Sequence, residues 1–333
     1  MAFSPRRCPY PDCSSISLGV FRHRRHGLYS RACDGRCVQR FRCRTCHRTF
    51  STQTFRLDYR LRKPALHLHL MGLFASKVTH RQSARILHCT RRTVARRLAL
   101  LGPHCQAFQR RMLTRARARR GLLGNFQLDE LETFEHNRRL APVTMPILIE
   151  RKSYFIVDLR TAALPARGGL SKSDRAKKEE RDKAFGKRKS GSREAVAACF
   201  KTLAEVHFPR GPVAVETDKK SSYVSTLRRI FGERLCHGRT HSREKRNYAN
   251  PLFPINHTLA MARDCVSRLV RRTWAASKKR ERLAWHAWIW AVWRSYVRPI
   301  TNDAPLVSAA MVAGVAKRRW RIPQVCAWRV FEA

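Results

Sequence analysis

Six of the chain's twelve cysteines fall within its first 46 residues. Cys8 and Cys13 bracket CPYPDC, and Cys43 and Cys46 lie in FRCRTCHRTF, with about 29 residues between the pairs. Each pair sits in a short, turn-like segment. Structural zinc takes four soft ligands in a tetrahedron, drawn from two such knuckles. A polar stretch this short builds no adequate core, so metal binding would supply its folding free energy. A disulfide scaffold needs an oxidising compartment, which nothing in the sequence suggests. Unligated surface thiols are the remaining alternative. Cys33 and Cys37 form a third pair that would replace one knuckle or hold nothing, and His47 is a weaker spare ligand. The preferred set is Cys8, Cys13, Cys43 and Cys46 around a structural Zn2+. The six later cysteines read as buried thiols, which behave as small hydrophobes.

The 333 residues include 70 Lys and Arg against 23 Asp and Glu, a formal charge of +47. An enzyme of small neutral substrates has no need of that imbalance. Self-repulsion at such a charge disfavours the compact state unless a polyanion neutralises it. Nucleic acid fits, because each phosphate contact releases counterions. An anionic membrane surface is the competitor. The sequence contains no apolar run of about 18 residues, and the start MAFSPRRCPYPDC lacks the apolar stretch of a signal peptide. The expectation is a cytoplasmic, chromosome-associated protein of about two domains with no membrane partner.

A helix is expected from Pro64 to about Lys77, followed by THRQSARILHCTRRTVARRLALLG. Thr79 can cap a second helix, His88 and Cys89 form a turn, and Thr90 can cap a third that ends at Gly102-Pro103. Helix, short turn and Arg-rich helix form the helix-turn-helix pattern. Arg91, Arg92, Arg96 and Arg97 would meet a groove or phosphates, with Thr93 as a smaller reader. The competing reading is an αα-hairpin whose arginines face water. RRMLTRARARR (110–120) reads as a basic linker or a solvated helix.

From Gly121 the composition changes. GNFQLDELETFEH reads as a strand carrying four scarce acids, Asp129, Glu130, Glu132 and Glu135. VTMPILIE and SYFIVDLRTA suit a hairpin around Arg151-Lys152. Residues 166–198 read as an exposed, basic insertion. A helix near 194–206, the strand PVAVETD and the helix KSSYVSTLRRIFG follow. Three strands, a helix, a strand and a helix, with acids on strands one and four, give the layout of a ribonuclease-H-like α/β domain. Asp129 and Asp218 would share Mg2+ or Mn2+, which takes oxygen ligands and serves phosphodiester cleavage. Each alone reads better as a strand-end acid in a surface ion pair. Trp285, Trp288, Trp290 and Trp293 fall in a helix over 281–296 and suit core packing better than base stacking. The expected class is α/β. A zinc ribbon (1–58) and a helix-turn-helix with basic linker (59–120) precede the mixed-sheet domain (121–300), with 301–333 as a C-terminal tail.

FRCRTCHRTFS with the helix-turn-helix resembles the DNA-binding protein of the insertion-sequence-one transposases. QLDELETF, TDKKSSY and NHTLAMARDCVSRLVRRTWAASKK resemble their catalytic half. In that family translational frameshifting often joins the halves; here they share one reading frame. The resemblance spans roughly 40–100 and 125–295. It implies recognition of terminal inverted repeats, a D-D-E catalytic domain, hydrolysis that frees a 3′-hydroxyl, and in-line attack by that hydroxyl on target DNA. Double-stranded DNA and a homodimer or higher assembly are the implied partners. Asp129 and Asp218 match the first two acids, and His237 matches a family histidine. An ungapped match puts Asn256 at the third acid; an insertion at NPLFPIN makes it Glu244, the residue preferred here; Asp264 is a further candidate. On the residues themselves, Arg268, Arg271 and Arg272 would grip DNA or simply face water, with DNA preferred. The rival readings are a non-catalytic regulator derived from a transposase and a zinc-ribbon RNA-binding protein.

Overall fold

The computed structural model describes residues 3–329 apart from 242, 246 and 272. A one-turn helix α1 (Ser14–Ser17) precedes β1 (His23–Ser30), β2 (Cys37–Cys43) and β3 (Thr49–Ser51), which form an antiparallel sheet in the order β1-β2-β3. Its core is aromatic. Phe41 stacks on Phe50 at 5.6 Å, and Phe50 meets Phe55 edge-on at 5.7 Å. This cluster is separate from the main core. Arg31 and Arg56 both pair with the buried Asp58, at 3.0 and 2.8 Å, where the sheet hands over to the helices.

Three helices follow: α2 (Leu66–Phe74), α3 (His80–Ile86) and α4 (Arg91–Arg119). Thr79 and Gln82 form a reciprocal capping box at α3, and Thr90 Oγ1 accepts from Thr93 N at 3.1 Å at α4. His88 takes φ 45° in the turn between them. The expected stop at Gly102-Pro103 is absent, and α4 runs on for 29 residues. Pro103 removes one helical hydrogen bond, but Leu98, Leu101, Cys105, Phe108 and Met112 bury one face of the helix throughout. Gly102 marks a close helix crossing. A Cβ built there would lie 2.2 Å from Cβ of Trp285. Gly102→Ala should therefore destabilise the protein by about 1–3 kcal/mol through overpacking. Propensity alone predicts a gain of about 1 kcal/mol, so urea titration of the variant separates the two by sign.

The second sheet contains β4 (Asn125–Phe134), β5 (Pro142–Glu150), β6 (Ile156–Leu159) and a short β7 (Ala162–Ala163) paired to β5. It continues with β8 (Val213–Asp218) and β9 (Leu235–Thr240), in the order β6-β5-β4-β8-β9. β5 is antiparallel to β4 and β6, while β4, β8 and β9 are parallel. All nine residues of β5 are buried. Helices α5 (Lys172–Phe185) and α6 (Ser192–Val206) lie between β7 and β8, and α7 (Ser221–Phe231) joins β8 to β9. The expected insertion is thus partly helical, yet α5 buries none of its residues. Then come α8 (Phe253–Cys265), α9 (Arg280–Val292), α10 (Ala309–Val312) and α11 (Ile322–Ala327).

Two β4 side chains of opposite parity identify the two faces. Gln127 accepts from the α8 backbone at Ile255 N, whereas Glu130 accepts from Ser192 of α6 and Tyr223 of α7. α4 packs on α9, so one continuous core joins the front helices to the sheet. Gln109 of α4 donates to the carbonyls of Ile156 and Val157 on edge strand β6, which satisfies groups that would otherwise template another strand. Residues 301–329 are no loose tail: Val315, Val325 and Trp328 are buried, and the Val325 carbonyl lies 2.8 Å from the His104 ring nitrogen. Trp290 is fully buried and Trp288 nearly so, as the core reading of the tryptophans expects.

Candidate metal centres and nucleic-acid interface

The cysteine quartet forms at the open end of the small sheet. Cys8 and Cys13 come from the loop around α1, Cys43 ends β2, and Cys46 sits in the following turn, where His47 takes φ 57°. The four sulfurs all lie within 4.8 Å of one another. Cys8 and Cys46 are 3.7 Å apart, and Cys13 and Cys43 3.9 Å. A tetrahedron with Zn–S bonds of about 2.3 Å has edges of roughly 3.8 Å, so the spacing fits zinc. Three of the thiols are buried and one half-buried. Burial pushes the Cys46 thiol up, but hydrogen bonds from the Arg48 backbone and guanidinium outweigh it and hold the group at about 6. A thiolate is the form that binds metal. Cys33 and Cys37 are exposed and lie outside the quartet. The four cysteines are positioned to hold one metal ion.

On α4, Arg91, Arg92 and Arg96 are exposed at the N-terminal end, where a groove-reading helix presents its side chains. Thr93 is half-buried, and its hydroxyl lies 3.0 Å from that of Thr90, so it serves the helix cap. Arg97 corrects the sequence reading. It falls on the face of Val94, Leu98 and Leu101, is buried, and donates to the Lys63 carbonyl at 3.2 Å. Helical spacing puts position 97 on the inner stripe, whatever its charge.

The acid pair is built by strand register. The β4–β8 ladder pairs Gln127 with Glu216. The paired register ends there; Asp129 and Asp218 each stand two residues further along their strands. Neighbouring strands lie about 4.8 Å apart, and alternation puts both aspartates on the α8 face. Both are half-exposed. Asp218 Oδ1 accepts from Lys220 N at 3.0 Å. Behind the pair, Gln127 Nε2 donates to Glu216 Oε2 at 2.5 Å, and Arg151 pairs with Glu216 at 2.8 Å. On the opposite face Glu130 is held by Lys220, Thr144, Ser192 and Tyr223; these bonds outweigh burial and keep its carboxyl below the usual range. The Tyr223 phenol is pushed up by burial first, then by Glu130, Asp129 and Asp218. Both aspartates thus act electrostatically on one side chain.

No third acid joins them in the way the sequence suggested. Among the described residues, the cysteine quartet is the only group of three or more His, Cys, Asp or Glu ligand atoms within 4.8 Å of one another. Glu244 lies exposed in the β9–α8 loop, where its carboxylate accepts from His241 N at 3.2 Å and closes its own turn. Asp264 pairs with Lys77 at 3.2 Å. His237 bonds Thr217 Oγ1 at 2.8 Å, on the face away from Asp218. α8 runs alongside β4, with Ile255 at Gln127 and Arg263 Nη2 donating to the Glu132 carbonyl at 3.1 Å. The stretch that passes Asp129 therefore begins at Asn256 and contains no acid.

Arg268 is turned inward, with Nη2 3.1 Å from His80 Nε2, so it does not present itself to a ligand; Arg271 is exposed; Arg272 lies outside the described residues. The sequence reading missed β9, whose residues LCHGRT lack apolar alternation. Among the described residues no helix is long and apolar enough to cross a membrane. Compared with known protein families and with curated proteins, the chain matches none.

Proposed function

We propose that this chain is a DNA transposase of the D-D-E type, with a ribonuclease-H-like catalytic domain behind a zinc-ribbon and helix-turn-helix front end. One observation carries the reading: β4 and β8 pair in parallel with Gln127 opposite Glu216, two residues before Asp129 and Asp218 on the same strands. The order of strands and helices, the acids on the first and fourth main strands, and the charge of +47 support it. Two hard oxygen donors at this spacing suit Mg2+ or Mn2+, ions that keep several water ligands. Such an ion supplies Lewis acidity toward a phosphodiester. The protein's own part is to align DNA: Arg91, Arg92 and Arg96 hold an element end on the front helix, and α8 borders the acid pair. Two ends must be held together, which calls for a homodimer or higher assembly on chromosomal DNA.

The α8 segment without an acid favours a second reading, a DNA-binding regulator that keeps the transposase fold without cleavage. Nicking of supercoiled plasmid with Mn2+ decides between them. The transposase reading expects wild-type nicking that Asp129→Ala or Asp218→Ala lowers by roughly a hundredfold or more. A silent wild type whose Asn256→Glu variant nicks supports the regulator. Nicking that survives both aspartate changes sinks the assignment of the acid pair.

A further inference from the structure

The far end of β4 opens into a cavity of about 170 Å³ lined by four arginines from separate parts of the chain. Arg138 comes from the β4–β5 turn, Arg167 from the segment before α5, Arg263 from α8 and Arg271 from the loop after it. Glu132 is the one carboxylate among the lining residues, and it pairs with Arg167. Arg263 is fixed by donating to the Leu269 carbonyl at 3.3 Å and the Glu132 carbonyl at 3.1 Å. Arg138 and Arg271 are exposed, and neither has an ion-pair partner among the described residues.

The walls are held by backbone and side-chain bonds. His136 N donates to the Ser277 carbonyl at 2.9 Å, Arg167 N donates to the Arg139 carbonyl at 3.0 Å, and Asn137 Oδ1 accepts from Arg139 N at 2.8 Å. Three guanidiniums without acids, converging on one cavity, repel one another until an anion enters. Burial first, then Arg271 and Arg138, lower the proton affinity of Arg263, against Glu132 alone. Guanidinium forks match the oxygens of phosphate, where a hydrated ammonium acts only as a point charge.

We propose that this cavity is an oxyanion site for a phosphate group, and that its occupant is a phosphodiester of the nucleic-acid backbone. The phosphate chemistry follows from the arginines; the backbone as its source rests on the transposase reading. Glu132 lies three residues beyond Asp129, about 10 Å along the strand. A backbone passing the acid pair reaches the cavity within about three nucleotides. Arg138 and Arg271 then position the strand that the acid pair addresses.

The test uses the zinc-loaded full chain without any other divalent ion, so it holds whether or not the protein cleaves DNA. Wild type, Arg138→Ala/Arg271→Ala and the control Arg210→Ala/Arg229→Ala are compared. The control removes the same charge from exposed positions outside the cavity lining, Arg210 before β8 and Arg229 in the last turn of α7. Binding is read with inorganic phosphate by calorimetry and with a 20-base-pair duplex by anisotropy across a salt series. The expected result is loss of phosphate binding and about tenfold weaker duplex binding in the first variant. Its log–log salt slope falls by about one to two, while the control keeps the wild-type slope. Loss of phosphate binding with an unchanged duplex slope overturns the backbone as occupant and leaves a free phosphate group. Unchanged binding of both ligands overturns the site altogether.

Discussion

Stripping the metal from Cys8, Cys13, Cys43 and Cys46 is expected to unfold the first 58 residues while the rest of the protein stays folded. The small sheet has its own core, with three buried phenylalanines, Phe41, Phe50 and Phe55. That is too little apolar surface to order some fifty residues unaided. Structural zinc contributes on the order of 10–16 kcal/mol in comparable small modules. The main cluster runs from α2 through α4 and α9 to the sheet and includes none of the four ligands. Hydrogen exchange after chelation should show amides of β1, β2 and β3 opening fully while β4, β5 and α4 remain protected. Metal analysis should give one zinc per chain, and a Cys33→Ser/Cys37→Ser variant should keep it, since both thiols are exposed and outside the quartet. Cys43→Ser should lose it. Slow exchange at Phe41 and Phe50 in metal-free protein would show that packing suffices; two zincs per chain would return the third cysteine pair to the site.

The features legible in the sequence share a cause: they are set by residues close together in the chain or by a repeated spacing. The cysteine knuckles, the β5–β6 hairpin around Arg151 and the capped start of α4 are of this kind. Asp129 and Asp218 stood out as scarce acids on apolar strands in a basic chain, while the parallel pairing of those two strands emerges only from the β4–β8 ladder. Other features depend on partners remote in sequence. Gly102-Pro103 is a sound stop signal, overridden because Leu98, Leu101, Cys105, Phe108 and Met112 bury one face of α4 straight through it. β9 is an edge strand held by backbone pairing to β8, so it has no need of apolar alternation. Arg97 looked like its neighbours until the inner stripe of α4 was fixed. The arginine cavity draws on residues 138, 167, 263 and 271 and has no local signature at all. The third acid is a different case. The sequence offered Glu244, Asn256 and Asp264, and the fold ties the two acids into other contacts, leaving Asn256 at the start of the segment that passes Asp129.

Mild acid should weaken the seam between the front helices and α9 long before carboxylates titrate. His80 and His286 lie there against Phe74, and His67 lies on α2 close to Arg97. His67 and His286 are buried and His80 is half-buried. Burial, with Arg97 adding to it, pulls His67 down to about 3. Burial and Arg268 pull His286 to about 3, against the support of its bond to the Phe74 carbonyl. Burial, then Arg268, Arg282 and Arg91, bring His80 to about 4. In the unfolded chain all three protonate near 6.5. Above that pH both states hold neutral rings and the histidines leave stability unchanged. As pH falls below it, the unfolded chain binds protons that the fold refuses, so stability is lost between about 6.5 and the folded values of 3 to 4. Each ring contributes up to about 1.4 kcal/mol per pH unit, so three approach about 4 kcal/mol per unit. Between pH 6.5 and 5 that removes roughly 5 kcal/mol, comparable to the whole stability of many domains. Tryptophan fluorescence reports the main body without the zinc module, because α9 carries Trp285, Trp288 and Trp290 and the zinc module has no tryptophan. Urea midpoints should fall steeply from pH 7 to 5. His286→Gln, which keeps a donor toward the Phe74 carbonyl without a titrating ring, should flatten the slope by up to about 1.4 kcal/mol per pH unit. A midpoint that stays level across that range would mean the rings protonate in place, and that the seam admits the water or anions needed to hold their charge.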